Sequence, residues 1–243
     1  MKVHLNEITG IADAIVSMFI SKRTWTRELE GDIRDVCACV VMSNGSVYTK
    51  NKVPHDEKLT KFNKWMDTLC KWGTKHITML RYIDFSFTVE GLHRGGQDDW
   101  DSHAMRFNNR IIRSSTRLAS FGHEMSDWYK GKIIPTDQAI DLLKIPIPKF
   151  IEHEGNTYRK GINGYILDTE YDNPDVKRGL YMLSIPSNFI FKVNLTEFSH
   201  VYKERNIQSS ANPEVKIMCE MMADELQTYQ PHFTRELFIK INN

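Results

Sequence analysis

The sequence predicts an α+β fold, and three observations carry the prediction. Apolar residues recur at helical spacing in three separated segments, 10–23, 56–72 and 213–226. A fourth segment, 84–90, alternates apolar and polar residues as a half-buried strand does. Helical and extended segments are mixed along the chain with no internal repeat, which argues for helices and strands sharing a core.

Taken in order, residues 10–23 place Ile11, Ile15, Met18 and Phe19 on one helical face. Residues 35–42, DVCACVVM, read as a buried strand closed by the Ser-Asn-Gly turn at 43–45. In such a strand Cys37 and Cys39 point to the same face. From Asp56 to Trp72, residues Leu59, Phe62, Met66 and Leu69 repeat at helical spacing, and Gly73 supplies the left-handed cap that ends the helix. In 84–90, Phe85, Phe87 and Val89 face inward. Residues 91–110 are polar, charged and glycine-rich and read as a loop following a strand, a place where chemistry is often carried. Residues 111–120 read as a basic helical turn. Residues 119–175 read as an irregular insertion with a hairpin around Gly155–Leu167, and 180–191 as an apolar stretch broken by Pro186. The last long helix starts after Asn212-Pro213, with Val215, Met218, Cys219, Met222 and Leu226 as a stripe suited to core or subunit contact. No linker demands a second domain, so residues 1–243 are expected to form one.

Composition removes several function classes. The 243 residues include 32 Lys+Arg and 31 Asp+Glu, a net charge of +1, which argues against binding a nucleic acid polymer. No stretch approaches the ~18 apolar residues of a membrane span. The opening MKVHLNEITG lacks the apolar run of a signal peptide, so a cytoplasmic location and no membrane partner are expected. The four cysteines, Cys37, Cys39, Cys70 and Cys219, form no CxxC pair and read as free thiols. GxGxxG, GxxxxGK[ST], GxSxG and HExxH are all absent, so dinucleotide-fold, P-loop, hydrolase and zincin readings have no support.

Two constellations remain. His93, Asp98, Asp99, Asp101 and His103 crowd one segment. Their donors suit a divalent metal, but their spacing matches no known cage and polar loop residues also simply face water, so no metal is expected. Arg106, Arg110, Arg113 and Arg117 recur every three or four residues with Ser114, Ser115 and Thr116 among them. If helical, they make one basic face, which either grips a phosphate through paired guanidinium donors or is solvated. Arg178 and Arg205 each stand near an apolar stretch.

The C-terminal run RGLYMLSIPSNFIFKVNLTEFSHVYKERNIQSSANPEVKIMCEMM resembles the flavin-dependent thymidylate synthases. Arg178 falls on the family arginine before Leu-Pro, Asn194 on the family asparagine, Arg205 on the arginine of Asn-Leu-Arg, and Ala211-Asn212-Pro213-Glu214 on Ala-Gln-Trp-Glu. The opening MKVHLNEITGIADAIVSMFISKR is similar to the family's first helix, with Ser21 on its serine. GTKHITMLRYIDFSFTVEGLHR places His76 and Thr78 on flavin-lining positions. The family signature Q-x-x-RHR-x₄-NE-x-S-x-RY is altered here to QDDWDSHAMRFNNRIIRSSTRL. His103 takes the central histidine, Asn108 or Asn109 the asparagine, and Ser115 and Arg117 the S-x-R, but Ser102 and Ala104 replace the signature arginines and Asp98, Asp99 and Asp101 have entered.

The resemblance implies a central mixed or antiparallel sheet flanked by helices. It implies transfer of a one-carbon unit from methylenetetrahydrofolate to C5 of a pyrimidine deoxynucleotide, dUMP before others, with FAD as cofactor, NADPH as reductant, and a homotetramer holding flavin at the subunit interface. Another pyrimidine such as dCMP or a modified base, or a non-catalytic homologue, are the alternatives. It implies Arg205 and Ser115 as catalytic residues and Gln97, Ser115, Arg117, Arg178 and Arg205 as substrate-binding residues. Ser21, His76, Thr78, His103, Asn108, Asn109, Asn194 and His200 are then the cofactor-binding set.

Overall fold

A computed structural model describes residues 1–40, 56–103, 110–115, 124–207 and 212–241. By contacts the chain falls into two compact units. The larger holds Lys2–Val89, Asp99–Ile112 and Phe189–Asn243, and the smaller holds Met1, Glu90–Asp98 and Arg113–Asn188.

The larger unit is built around a four-stranded sheet in the order β1 (Lys2–Thr9), β2 (Asp84–His93), β7 (Pro186–Asn194), β3 (Arg110–Arg113), with the far ends of β2, β3 and β7 belonging to the smaller unit. Phe85, Phe87 and Val89 are buried as the alternation predicts. Helix α1 (Ile11–Ser21) buries Ile11, Ile15 and Met18. It starts at Gly10, whose φ is 80° and where an added Cβ would fall 1.7 Å from the Tyr82 carbonyl oxygen, so only glycine fits. Helix α3 (Asp56–Gly73) buries Phe62, Met66 and Leu69, while Leu59 is exposed. Helix α7 (Leu195–Tyr202) follows β7 directly. Helix α8 (Pro213–Tyr229) begins where predicted, with Asn212 Oδ1 accepting from the Glu214 amide at 2.9 Å, and buries the whole methionine stripe as core. Helix α9 (Arg235–Lys240) ends the described chain with Phe238 packed 5.0 Å from Phe198, ring to ring. Phe85, Phe198 and Phe233 complete that aromatic cluster.

Three expectations for local structure are corrected. Residues 35–40 are not a strand but the end of helix α2 (Arg27–Val40), and residues 41–45 lie outside the described residues. Ile33, Val36 and Cys37 sit at i, i+3 and i+4 and are all buried, and Glu30 pairs with Arg34 one turn on at 2.9 Å. A short apolar run cannot distinguish strand from buried helix, and here Cys37 is buried while Cys39 is only half-buried. Residues 91–103 are not a loop, because β2 runs to His93 and helix α4 (Arg94–His103) follows at once. Its Gly and Asp residues are poor helix formers, but Gln97 and Trp100, three apart, are both buried, and that tertiary burial prevails. Residues 110–113 are strand, not helix, and the strand is extended by the Ser114 amide donating to the Asn188 carbonyl at 2.8 Å.

The smaller unit contains the insertion, which is more regular than expected. Helix α5 (Thr136–Leu142) precedes a three-stranded antiparallel sheet of β4 (Phe150–His153), β5 (Asn156–Gly161) and β6 (Gly164–Leu167). The predicted hairpin is present, with Tyr158 opposite Leu167 and Gly161 opposite Gly164. Buried Asp137 accepts from the Asn163 amide at 3.1 Å and from Lys160 at 3.4 Å, pinning the hairpin turn to α5. Helix α6 (Pro174–Lys177) then leads into a 3₁₀ turn at Arg178–Leu180.

Candidate active site

Arg205 lies in a single π-helical turn, Lys203–Ile207, that continues α7. Such turns are rare and concentrate at functional sites. The arginine is nearly buried, with 11% of its side chain exposed. One guanidinium nitrogen pairs with Asp99 Oδ1 at 2.9 Å, and the other donates to the Asp99 main-chain carbonyl at 2.8 Å. The fork is therefore held at two points in a fixed plane. Its neighbours are also tied: Tyr202 donates to Glu220 Oε1 at 2.8 Å, and Asn206 donates to the same oxygen. Arg235 donates to Glu220 Oε2 at 2.8 Å and to Asp224 at 2.6 Å. Burial pushes Glu220 up, but Arg235, Tyr202 and Asn206 outweigh it and hold the carboxyl below its ordinary range. Burial, then the bond to Glu220, pushes the Tyr202 phenol up to about 12.

The aspartates of the altered signature are therefore already engaged. Asp98 pairs with Arg113 at 2.6 Å and with Arg94 at 3.8 Å, and Asp99 with Arg205. Residues Arg110–Arg113 are strand β3 rather than helix, so the helical spacing on which the expected basic face depended does not hold across that segment. His93 is buried with its ring 4.9 Å from that of Tyr129. Among the described residues no group of three or more His, Cys, Asp or Glu is placed to hold a metal ion. Gln97 is fully buried and its Oε1 has no hydrogen-bond partner among the described residues.

A second region of the larger unit carries three of the predicted cofactor residues on adjoining elements. Ser21 ends α1, and the 3₁₀ turn Ile77–Tyr82, which carries Thr78 and is preceded by His76, packs on α1, α3 and α7. Lys22 Nζ stands 4.2 Å over the Trp72 ring, and the Trp72 and His76 rings are 5.8 Å apart. His76 and Thr78 are exposed. Lys71, Thr74 and Lys75 line a cavity of about 420 Å³ together with Lys240, His232 and Glu236. Ser21, Lys22, His76 and Thr78 are not among the residues that line this cavity. Sequence reasoning did not single out Trp72 or Lys22; Trp72 meets both Lys22 and His76 and joins the end of α3 to the end of α1.

Other predicted residues fall differently. Asn194 is buried and caps α7: its Oδ1 accepts from the Thr196 and Glu197 amides, each at 3.0 Å, and from the Thr196 hydroxyl at 2.7 Å. His200 lies in the last turn of α7, half-buried. In the smaller unit Arg178 is exposed, its Nε 3.5 Å from Asp175, and Ser115 is exposed. Asn108, Asn109, Arg106, Arg117 and the His103 side chain lie outside the described residues. Burial pushes the Cys37 and Cys70 thiols up to about 12, and Cys219 further up, so none of these three is a ready nucleophile. No described helix is long and apolar enough to cross a membrane.

A sequence model described as "Thymidylate synthase complementing protein" matches residues 26–232. No curated protein matches the chain. Among solved structures, thymidylate synthase X from Helicobacter pylori with FAD and dUMP is 11% identical, covering 98% of this chain and 100% of that one, with a TM-score of 0.56. A second Helicobacter pylori complex with FAD and dUMP is 12% identical, covering 98% and 99%, with a TM-score of 0.57. The UMP/dUMP methylase PolB from Streptomyces cacaoi, bound with 5-Br dUMP, is 12% identical, covering 98% and 94%, with a TM-score of 0.54. At these identities the structural likeness shows a shared fold.

Proposed function

The chain belongs to the thymidylate synthase complementing protein family, and from that premise we propose that it is a flavin-dependent methyltransferase. It moves a one-carbon unit from methylenetetrahydrofolate to C5 of a pyrimidine deoxynucleotide, dUMP to dTMP, with NADPH as reductant. The observation that carries this is the family match over residues 26–232, which spans Arg178, Asn194 and Arg205 in unbroken order. A homotetramer in the cytoplasm, with flavin shared between subunits, is part of the same reading.

Lys22 and His76, both against the Trp72 ring, offer a cation, an imidazole and an aromatic face that suit FAD, and with Ser21 and Thr78 they would hold it. Bound FAD supplies the hydride chemistry that the chain's own side chains lack. Arg205 donates to the nucleotide from a preset plane, placing positive charge where a ring carbonyl gains negative charge; such a donor is worth ~2.7–4 kcal/mol in comparable sites. Arg178 and Arg117 add charge-assisted contacts to the phosphate, with Gln97 and Ser115 as further polar contacts. Asn194 orients the start of α7 and so the turn that bears Arg205.

A second reading is a different pyrimidine nucleotide. It is favoured by Ser102 and Ala104 standing in place of the two signature arginines, and by PolB, which acts on UMP as well as dUMP. The experiment is direct: purify the chain, record the flavin absorbance, then incubate it with methylenetetrahydrofolate, NADPH and dUMP, dCMP or UMP and weigh the products. A 14 Da gain on dUMP supports the first reading, a gain on dCMP or UMP alone supports the second, and absence of both flavin and product rejects each.

A further inference from the structure

We propose that Glu220 is a positioning residue for Arg205, setting the guanidinium plane through Tyr202 and Asn206 rather than touching substrate. The inference rests on the reading that Arg205 binds the nucleotide, and it assigns the control of that residue to a helix lying outside the predicted site.

The geometry is specific. Arg205 lies in a π turn, Lys203–Ile207, in which the backbone leaves the α-helical hydrogen-bond pattern. A turn of this kind needs outside restraint to keep one shape. Glu220 supplies it from α8: one carboxylate oxygen, Oε1, receives both the Tyr202 hydroxyl, at the last residue before the turn, and the Asn206 carboxamide, immediately after Arg205. The two donors stand on either side of Arg205 in the chain and converge on a single acceptor. The other oxygen, Oε2, is held by Arg235 Nε at 2.8 Å, and Arg235 is itself fixed by Asp224 at 2.6 Å and Gln227 at 3.3 Å. Glu220 therefore cannot rotate without breaking bonds at both ends. On the opposite side, Arg205 meets Asp99 at 2.9 Å and its main-chain oxygen at 2.8 Å. Guanidinium pairing is directional, so a small rotation of the π turn misplaces both bonds and whatever further donor Arg205 offers a ligand. Charge alone does not explain the arrangement, since Arg235 by itself would balance Glu220; the convergence of Tyr202 and Asn206 on one oxygen does.

The test is a double-mutant cycle on the full chain loaded with FAD, titrated with dUMP. Glu220→Ala should weaken dUMP binding about ten-fold, one decade of affinity, and should add nothing further in an Arg205→Ala background, because its effect passes through Arg205. Tyr202→Phe, which keeps the ring and removes one donor, should show a smaller loss in the same direction and covers the case in which Glu220→Ala fails to fold. An equal loss in both backgrounds, or none in either, overturns the proposal, since a general structural role is additive. If the unaltered chain binds no dUMP, the functional reading fails on its own. Amide hydrogen exchange across residues 203–207 then decides the inference: faster exchange in Glu220→Ala or Tyr202→Phe supports it, and unchanged exchange in both overturns it.

Discussion

The two arginines that the family resemblance assigns to the nucleotide stand in opposite physical states. Arg205 has 11% of its side chain exposed and is fixed by Asp99 at two points. Arg178 is half exposed, with its Nε 3.5 Å from Asp175 three residues before it. A surface pair of that geometry contributes ~0–1 kcal/mol and leaves the side chain free to reorient. The difference teaches where binding specificity can reside. Arg205 has already given up its rotamer entropy on folding, so a ligand that meets its plane gains directional bonds with little ordering cost. On the proposed reading, Arg178 would have to be ordered by the ligand and would act more as a mobile charge.

The largest expected effect tests the fixed arginine. Arg205→Ala should weaken dUMP binding about a hundred-fold, combining a lost charge-assisted bond with a lost orienting plane, each decade being ~1.4 kcal/mol. It should also lower unfolding free energy by ~1.5–3 kcal/mol, because Asp99 loses its counter-charge. Arg205→Lys should not restore affinity, since an ammonium cannot span the Asp99 carboxylate and carbonyl as a fork does. Titration calorimetry and denaturant unfolding measure the two effects. Arg178→Ala should do less: about a ten-fold weaker dUMP affinity, with stability unchanged within ~0.5 kcal/mol as for other surface substitutions. Equal losses of affinity and stability at the two positions would remove the distinction drawn between them.

The same contrast marks what the sequence shows and what it hides. Buried helix faces were legible because they depend on local spacing: Ile11, Ile15 and Met18, or Met218 and Met222, need only one helix each. Helix α2 was missed at VCACVV because a six-residue apolar run satisfies a strand and a buried helix alike. Helix α4 was missed because Gly and Asp argue locally against it, while the burial of Gln97 and Trp100 that stabilises it is a tertiary fact. Arg205 could be named from the resemblance, but its partner Asp99 lies 106 positions away and Glu220 fifteen positions on in another helix. Neither shares a motif with it. The sequence shows that acidic residues have entered the signature but not what they meet; folded, Asp98 and Asp99 are paired with arginines.

A third prediction separates a cap from a contact. Asn194→Ala removes the acceptor of the Thr196 and Glu197 amides and should cost ~0.5–2 kcal/mol of stability. Asn194→Asp keeps an N-cap oxygen and should retain most of it. Flavin content should follow the folded fraction in both variants, read by absorbance against a thermal melt. Loss of flavin from fully folded Asn194→Asp would give Asn194 a cofactor contact in addition to its cap.

The smallest effect concerns the acid end of the stability profile. Glu220 is a carboxyl held below its ordinary value of 4.5 by Arg235, Tyr202 and Asn206 against the opposing pull of burial. A carboxyl whose folded value is depressed stabilises the fold at pH above the unfolded value, and that stabilisation is lost as pH falls through the folded value. At pH 7 the contribution is present in full; below about 4.5 it declines as the folded carboxylate takes up its proton. Because the side chain is 39% exposed, solvent screening keeps the contribution small, on the scale of ~1 kcal/mol or less. Glu220→Gln should therefore be slightly less stable than the unaltered chain at pH 7, and the gap should close as pH is lowered from 5 toward 3. Urea unfolding at stepped pH measures it. A gap that stays constant across that range would mean that Tyr202 and Asn206 are held by the shape of the acceptor rather than by its charge. The fixity of the Arg205 turn would then be steric in origin, and the contrast with Arg178 would rest on burial alone.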